Sequence, residues 1–297
     1  MTVLDIASPE LRVGIAPALG GSVPCFEWLG SGGPQPLFRP WDGVPAARST
    51  GCMPLIPWSN RISGGGIDAG GRFWPLAANR MPEDPMPIHG DGFQSAWTVL
   101  EHGRDRILLE LVSQKQSPFD YRALLTYEVA GPTFTMSLAV QHRGEVPTPY
   151  GLGFHPWLPR TADTTLEAPA AEIWLETPQH LPDRRIPARE RPEWDFRHAR
   201  PLPPGKINNA FAGWSGKARV RWPERRLALS IDASPDLSTC IVFSPSPESG
   251  FFCIEPVTHP VDAFHLPGMP GLKVLEHGQG FEVSCRCRAA VDSEAEP

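Results

Sequence analysis

The chain reads as an all-β protein of two large sheets packed face to face. Three observations lead there. Apolar and polar residues alternate at period two, most plainly where Phe134, Met136, Leu138 and Val140 interleave with Thr135, Ser137, Ala139 and Gln141. No long segment shows a capped 3.6-residue period. Proline is the third signal: 36 of 297 residues are proline, too many for numerous helices of ordinary length. In chain order the strand candidates are 11–15, 23–28, 107–112, 121–129, 134–140, 218–222, 227–231, 240–243 and a final one through Phe281, Val283, Cys285 and Cys287. Each is a run rich in β-branched, aromatic or aliphatic residues, the types that fit a pleated, half-buried surface. Cys285 and Cys287 lie two apart, so both face one side and pack as small hydrophobes.

No repeat and no flexible linker divides the sequence, so residues 1–297 are expected to form one domain. The segment 179–206, rich in Pro and Arg, reads as a long surface excursion forming one wall of a cleft. The acidic tail 291–297 is expected to fray. A net charge of −6 with scattered basic residues excludes the footprint of a nucleic-acid-binding protein. Arg184–Arg185 and Arg219–Arg221 read as solvated faces. The N-terminus has no signal-peptide pattern, no run approaches a membrane span, and the six cysteines show neither CxxC spacing nor a dense disulfide framework. A cytoplasmic location with reduced thiols is the simplest expectation.

Four segments carry chemistry. In Pro54–Ile62, Asn60 and Arg61 form a polar gap among apolar residues, and Arg61 can offer a fork of donors to hydroxyl oxygens. In Pro87–Gly92, His89 lies between Pro and Gly, in a loop a ligand can approach. In Gly151–Trp157, His155 stands among glycines expected to leave open space, with Phe154 and Trp157 offering faces for a sugar ring. In Phe252–Pro256, Glu255 ends an apolar run, where a carboxylate is costly to bury unless paired or used. A histidine and a glutamate can move protons in opposite directions at neutral pH. His89, His155, His259 and His265 invite a metal reading, but no HxH, HxxxH or HExxH spacing occurs, so neither metal nor cofactor is expected.

Taken in order, PLIPWSNRI, PIHGDG with Trp97 after it, PYGLGFHPW, INNAFAGW, FCIEPVTHPVDAFH and GLKVLEHGQGFEV resemble the aldose 1-epimerase (galactose mutarotase) family across nearly the whole chain. The resemblance implies a β-supersandwich of two large twisted, mainly antiparallel sheets with the cleft on one open face. It implies that His155 is the acid that protonates the ring oxygen O5 and that Glu255 is the base that deprotonates the C1 hydroxyl. Asn60, Arg61, His89 and Asn208 are then the sugar-holding groups. Two departures stand out. The family often has aspartate at position 208, where this chain has asparagine, and Glu276–His277–Gly278 replaces a segment that commonly has proline before its glycine.

The implied reaction is interconversion of the α and β anomers of a free hexose, with no nucleic acid or membrane partner and a monomer or weak homodimer as the working state. Ordinary values of about 4.3 for glutamate and 6.5 for histidine poise such a pair at mildly acidic pH, and a nearby carboxylate would raise the histidine. Rival readings accompany this one. A glycosidase needs a second carboxylate, for which Asp91 and Asp262 are candidates. A sugar-phosphate epimerase needs extra cations in the cleft, for which Arg80 and Arg160 are candidates. A non-catalytic sugar-binding protein would have no need of both His155 and Glu255.

Overall fold

A computed structural model describes residues 2–30 and 32–292. Its strands form two large sheets, and the strand pairings within both are antiparallel. The first has eleven strands. Across it run Leu4–Ala7, Leu11–Ala16, Ser22–Gly30, Cys52–Leu55, Gly153–Pro159, Phe251–Val257, Thr239–Ser244, Ile207–Ala212, Glu172–Glu176 and Pro182–Pro187, with Gly33–Pro36 paired to the side of Ser22–Gly30. The second has nine, in the order Arg200–Pro201, Thr165–Glu167, Lys217–Trp222, Leu227–Ala233, Gly280–Val291, Thr133–His142, Phe119–Ala130, Arg106–Gln116 and Thr98–His102. Helical structure among the described residues is confined to three-residue 3-10 turns. All nine strand candidates read from the sequence are strands here.

The two sheets meet over one large core. Phe26 of the first sheet touches Phe134 of the second with ring centroids 4.9 Å apart, and Cys52 Sγ lies 3.9 Å from Met136 Sδ. Cys285 and Cys287 are fully buried in this core, as expected of two residues on one face. The eleven-stranded sheet is covered on its other face as well. There Met53, Leu55, Trp157, Ile241, Cys253 and Val257 form a second, smaller cluster. Its central strands are therefore buried on both sides and mainly apolar, the pattern expected when neither face is wet, with His155 and Glu255 as the exceptions. This second face carries His155 and Glu255.

Two expectations about loops are corrected. The 179–206 segment is not a plain excursion. It contributes Pro182–Pro187 to the edge of the first sheet and Arg200–Pro201 to the edge of the second, so it ties the sheets together. At the C-terminus, the last strand runs to Val291, and Asp292 is buried against Arg221, whose Nε donates to its carboxylate at 2.7 Å. Fraying therefore does not begin at 291; positions 293–297 lie outside the described residues. Among the described residues no helix is long and apolar enough to cross a membrane.

Candidate active site

Strand register closes the hundred-residue gap between His155 and Glu255. Gly153 pairs with Val257 and Trp157 with Cys253, which sets His155 directly across from Glu255 on adjacent antiparallel strands. Side chains opposite one another on one face are near neighbours. Accordingly His155 Nε2 lies 3.3 Å from Glu255 Oε1. Both side chains are nearly buried, with His155 8% and Glu255 3% exposed, and both line a cleft of about 570 Å³. That volume suits a small ligand such as a sugar. His155 Nδ1 and Glu255 Oε2 are buried without a hydrogen-bond partner. Unmet polar atoms at such depth are costly, and a ligand's hydroxyls would satisfy them.

Burial reverses the protonation order expected from ordinary values. It pushes the Glu255 carboxyl up to about 8, against a smaller downward pull from Arg61. It presses His155 down to about 3, with the Arg39 charge acting the same way. Between those limits the pair holds one proton and stays neutral overall, which is the cheapest charge state in a dry site. The range over which the pair holds one proton is thus broader than the mildly acidic one, and it is set by desolvation. The expected lift of the histidine by its carboxylate neighbour does not prevail.

Trp157 backs the histidine. Its ring stacks on His155 with centroids 3.8 Å apart and 17° between planes. The Arg39 guanidinium sits over the same indole, 4.8 Å from its centroid, and donates from Nη2 to the carbonyl of Thr50 at 2.9 Å. Phe154 does the opposite of what its sequence context suggests: the strand alternation turns it into the core between the sheets, where it is fully buried. The two glycines beside it are also not open space. A Cβ on Gly151 would meet His259 Cδ2 at 2.1 Å, and one on Gly153 would meet the Pro256 carbonyl oxygen at 2.7 Å. They permit close packing.

Asn60 and His89 come together because their loops are knitted to each other. Asn60 N–H donates to His89 Nδ1 at 3.0 Å, and His89 N–H donates to the Asn60 carbonyl at 3.0 Å. Both residues hold left-handed φ values, 56° and 61°, which is uncommon and costly outside glycine. Because Nδ1 accepts, a neutral His89 carries its proton on Nε2; burial lowers its pKa well below the usual value and keeps it neutral. His89 is thus a fixed neutral donor in the cleft wall. The loop is held by Asn79, whose side chain bonds the backbone at Ile88 and Gly90 on either side of His89 at 2.8–2.9 Å. Below it, Asp91 accepts from Tyr121 Oη at 2.8 Å and Ser113 Oγ at 2.5 Å.

Arg61 lines the cleft, aimed by a carboxylate that no sequence motif singles out. Its Nε donates to Asp84 Oδ2 at 2.7 Å in a largely buried ion pair. Asp84 also accepts from the Met86 N–H at 3.1 Å. We expect Asp84→Asn to raise KM about tenfold, the worth of a charge-assisted hydrogen bond, with a smaller change in kcat. An unchanged KM would show that Arg61 needs no such partner.

Asn208 also lines the cleft, and its neighbours explain how the site tolerates an amide there. Asn208 Nδ2 donates to Glu176 Oε2 at 2.7 Å, and His180 Nδ1 lies 2.9 Å from that same oxygen. Glu176 therefore returns a carboxylate to this wall from the adjacent strand. His180 and Lys206, at the two ends of the 179–206 segment, line the cleft, so the segment does supply part of a wall. An aspartate in place of Asn208 would face Glu176 at hydrogen-bond distance. Asn208→Asp is expected to weaken sugar binding about tenfold or more, with KM rising more than kcat falls, because like charges at that range repel. A lower KM in that variant would contradict this account.

The remaining candidates fall outside the cleft. Asp91 is committed to Tyr121 and Ser113, and Asp262 accepts from Ser63 N–H and lies 2.8 Å from His265 Nδ1. Neither offers the second carboxylate a glycosidase needs. Arg160 donates to Ser244 Oγ and to the Pro203 carbonyl, so it pins a loop. His259 accepts the Ser59 N–H at 3.1 Å and lies 2.7 Å from the Pro260 carbonyl through Nδ1, a structural role. The ligand atoms of His155, Cys253 and Glu255 lie within 4.8 Å of one another, the one grouping of metal-ligand type among the described residues. Burial and Glu255 raise the Cys253 thiol well above its usual range.

Two large antiparallel sheets with a His–Glu pair on the covered face of one of them define a galactose mutarotase-like protein. The sequence profile of the aldose 1-epimerase family matches residues 18–288, and the chain belongs to that family. It is 30% identical over 285 residues to the uncharacterized protein YphB of Escherichia coli (strain K12), covering 94% of this chain and 96% of that one. Among solved structures, a candidate aldose 1-epimerase of Escherichia coli K12 superposes with a TM-score of 0.90 at 29% identity, covering 98% of this chain and 99% of that chain. A galactose mutarotase-like protein of Clostridium acetobutylicum shares the fold at a TM-score of 0.82 and 17% identity, with 97% and 94% covered.

Proposed function

We propose that the protein interconverts the α and β anomers of an aldohexose by opening and reclosing its ring. The observation that carries this reading is the 3.3 Å contact between His155 Nε2 and Glu255 Oε1 on the floor of the cleft. Ring opening removes the proton from O1 while one is added to O5, and ring closure reverses both transfers. O1 and O5 are bonded to the same carbon, so the acid and the base must also be neighbours. His155 gives its proton to O5 and Glu255 takes that of O1. After rotation about C1–C2, both transfers run backwards. The pair starts and ends with one proton, which fits the single proton it holds across neutral pH.

The acting form has the proton on His155 and the charge on Glu255. Arg61 favours that form, because its cation pulls Glu255 toward ionisation. The neutral His89 donates from Nε2 to a sugar oxygen, and Asn208 with Glu176 holds hydroxyls on the opposite wall. Each placed proton transfer contributes roughly 10²–10⁴-fold. The test is anomeric exchange measured by NMR over a panel of aldoses, wild type beside Glu255→Gln. Acceleration by the wild type alone supports the reading. Binding of sugars with no acceleration of any of them supports a sugar-binding protein instead.

A further inference from the structure

The cleft is cationic, although the chain as a whole carries a net charge of −6. Four cationic side chains line it, Arg48, Arg61, Arg80 and Lys206, against two carboxylates, Glu255 on its floor and Glu176, which is held by Asn208 and His180 on the far wall. Glu255 is itself held largely uncharged at neutral pH by burial. Arg61 is neutralised by Asp84. For Arg48, Arg80 and Lys206 there is no carboxylate at ion-pair distance among the described residues.

These three come from separate elements. Arg48 belongs to the turn Ala47–Ser49, Arg80 to the loop between Arg72–Pro75 and the His89 segment, and Lys206 directly precedes Ile207–Ala212. Arg48 and Arg80 are close enough for each charge to be felt by the other: after burial, Arg48 is the largest influence pressing Arg80 to lose its proton. Arg80 Nε is buried with no acceptor. Asp84 and Glu83 are within its electrostatic reach, but Asp84 already serves Arg61 and the Met86 N–H. Two guanidiniums that line one cleft, one of them with an unmet buried donor, make a place where an anion would be bound. A cleft of one sign also concentrates anions from solution.

We infer that the substrate is an anionic aldose, its charged group bound between Arg48 and Arg80 at the mouth of the cleft. This rests on the mutarotase reading for the word substrate, though the anion site stands on the geometry of the arginines. The position of the group on the sugar follows from where Arg80 stands. Its neighbour Asn79 is bonded to the backbone on either side of His89, and the His89 and His155 rings lie 5.3 Å apart, which places Arg80 on the histidine side of the cleft. His155 serves O5, and O5 is bonded to C5, which carries C6. The anionic group is accordingly on C6, as a phosphate, a sulfate or the carboxylate of a uronic acid.

The first experiment uses a sugar that cannot ring-open, so that binding is read apart from chemistry. Calorimetric Kd values for 1,5-anhydroglucitol 6-phosphate and for 1,5-anhydroglucitol should differ by about 30-fold or more in favour of the phosphate, the worth of one or two charge-assisted hydrogen bonds. The advantage should shrink as salt is raised. Arg48→Gln and Arg80→Gln should each cut it several-fold. Arg48 is exposed, so its variant keeps the test valid even if Arg80→Gln fails to fold. The second experiment compares kcat/KM for a hexose with that for its 6-phosphate, its 6-sulfate and its uronic acid, which ranks the three anions.

Equal affinity for the neutral and phosphorylated anhydro sugars overturns the anion site, as does a preference that survives Arg48→Gln. Faster exchange of neutral hexoses than of all three charged ones also overturns it and leaves the mutarotase reading standing. Arginine-dependent binding of the phosphate with no exchange of any aldose keeps the anion site and removes the mutarotase reading.

Discussion

Glu255→Gln is expected to lower kcat by about 10³-fold or more while leaving sugar affinity within a few-fold of wild type. The amide occupies the same volume and can still hydrogen-bond, but it cannot take the proton from O1. A loss of that size corresponds to about 4 kcal/mol of transition-state stabilisation. The same variant should be more heat-stable than wild type at pH 8–9. The folded-state pKa of Glu255 is raised to about 8, so its contribution to stability is fully present below its ordinary range and is lost as pH rises through 8. Glutamine has no such dependence. Calorimetry at pH 5 and pH 9 reads the difference: the gain in Tm should appear at the higher pH and vanish at the lower. Wild-type turnover in the variant would remove Glu255 from the base role. A gain in Tm that did not depend on pH would separate the effect from ionisation.

Such a trade of stability for activity fits where the residue lies. A carboxyl at 3% exposure beside a histidine at 8%, with one buried atom of each unpartnered, is a poor way to stabilise a sheet. Replacing polar groups that a site needs for chemistry commonly stabilises a fold at the cost of activity.

Six of the nine strands of the second sheet are legible in the sequence because they present one face to the core and one to water, whereas Thr98–His102, Thr165–Glu167 and Arg200–Pro201 are too short or too exposed to show the alternation. Thr133–His142 is the plainest case, and there period two survives. The central strands of the other sheet are harder to read. Gly153–Pro159 and Phe251–Val257 are buried on both faces and interrupted by prolines, so no alternation marks them as strands. Yet those two strands carry His155 and Glu255, and the clue to them is chemical: a histidine and a glutamate where apolar residues should be. Arg61 and His89 are legible for the same reason. What aims them is not. Asp84 stands in a Pro-rich loop, Asn79 looks like any turn residue, and Arg39 acts through an indole; their partners are distant in sequence or meet only through backbone geometry. Glu176 lies 32 residues from Asn208, and only the pairing of Glu172–Glu176 with Ile207–Ala212 brings the carboxylate to the amide.

His155→Gln should lower kcat by roughly 10²–10⁴-fold and, more tellingly, reverse the slope of the pH profile on the alkaline side. In the wild type the active pair holds one proton between about 3, where His155 gains a second, and about 8, where Glu255 gives up the last. Activity should therefore be level across neutral pH and fall above about 8. Without the histidine, only the base remains to act, and it acts when ionised. Burial still holds the carboxyl high, since its shift comes mainly from desolvation and owes nothing to the imidazole. The residual rate of the variant should consequently climb toward and through pH 8, where wild-type activity declines. A variant that kept the wild-type fall would mean that the alkaline limb belongs to a group outside this pair, with His89 excluded by its low pKa and the cleft cations next in line. Crossing profiles would tie both titrations to His155 and Glu255 and assign the acid and the base in one measurement.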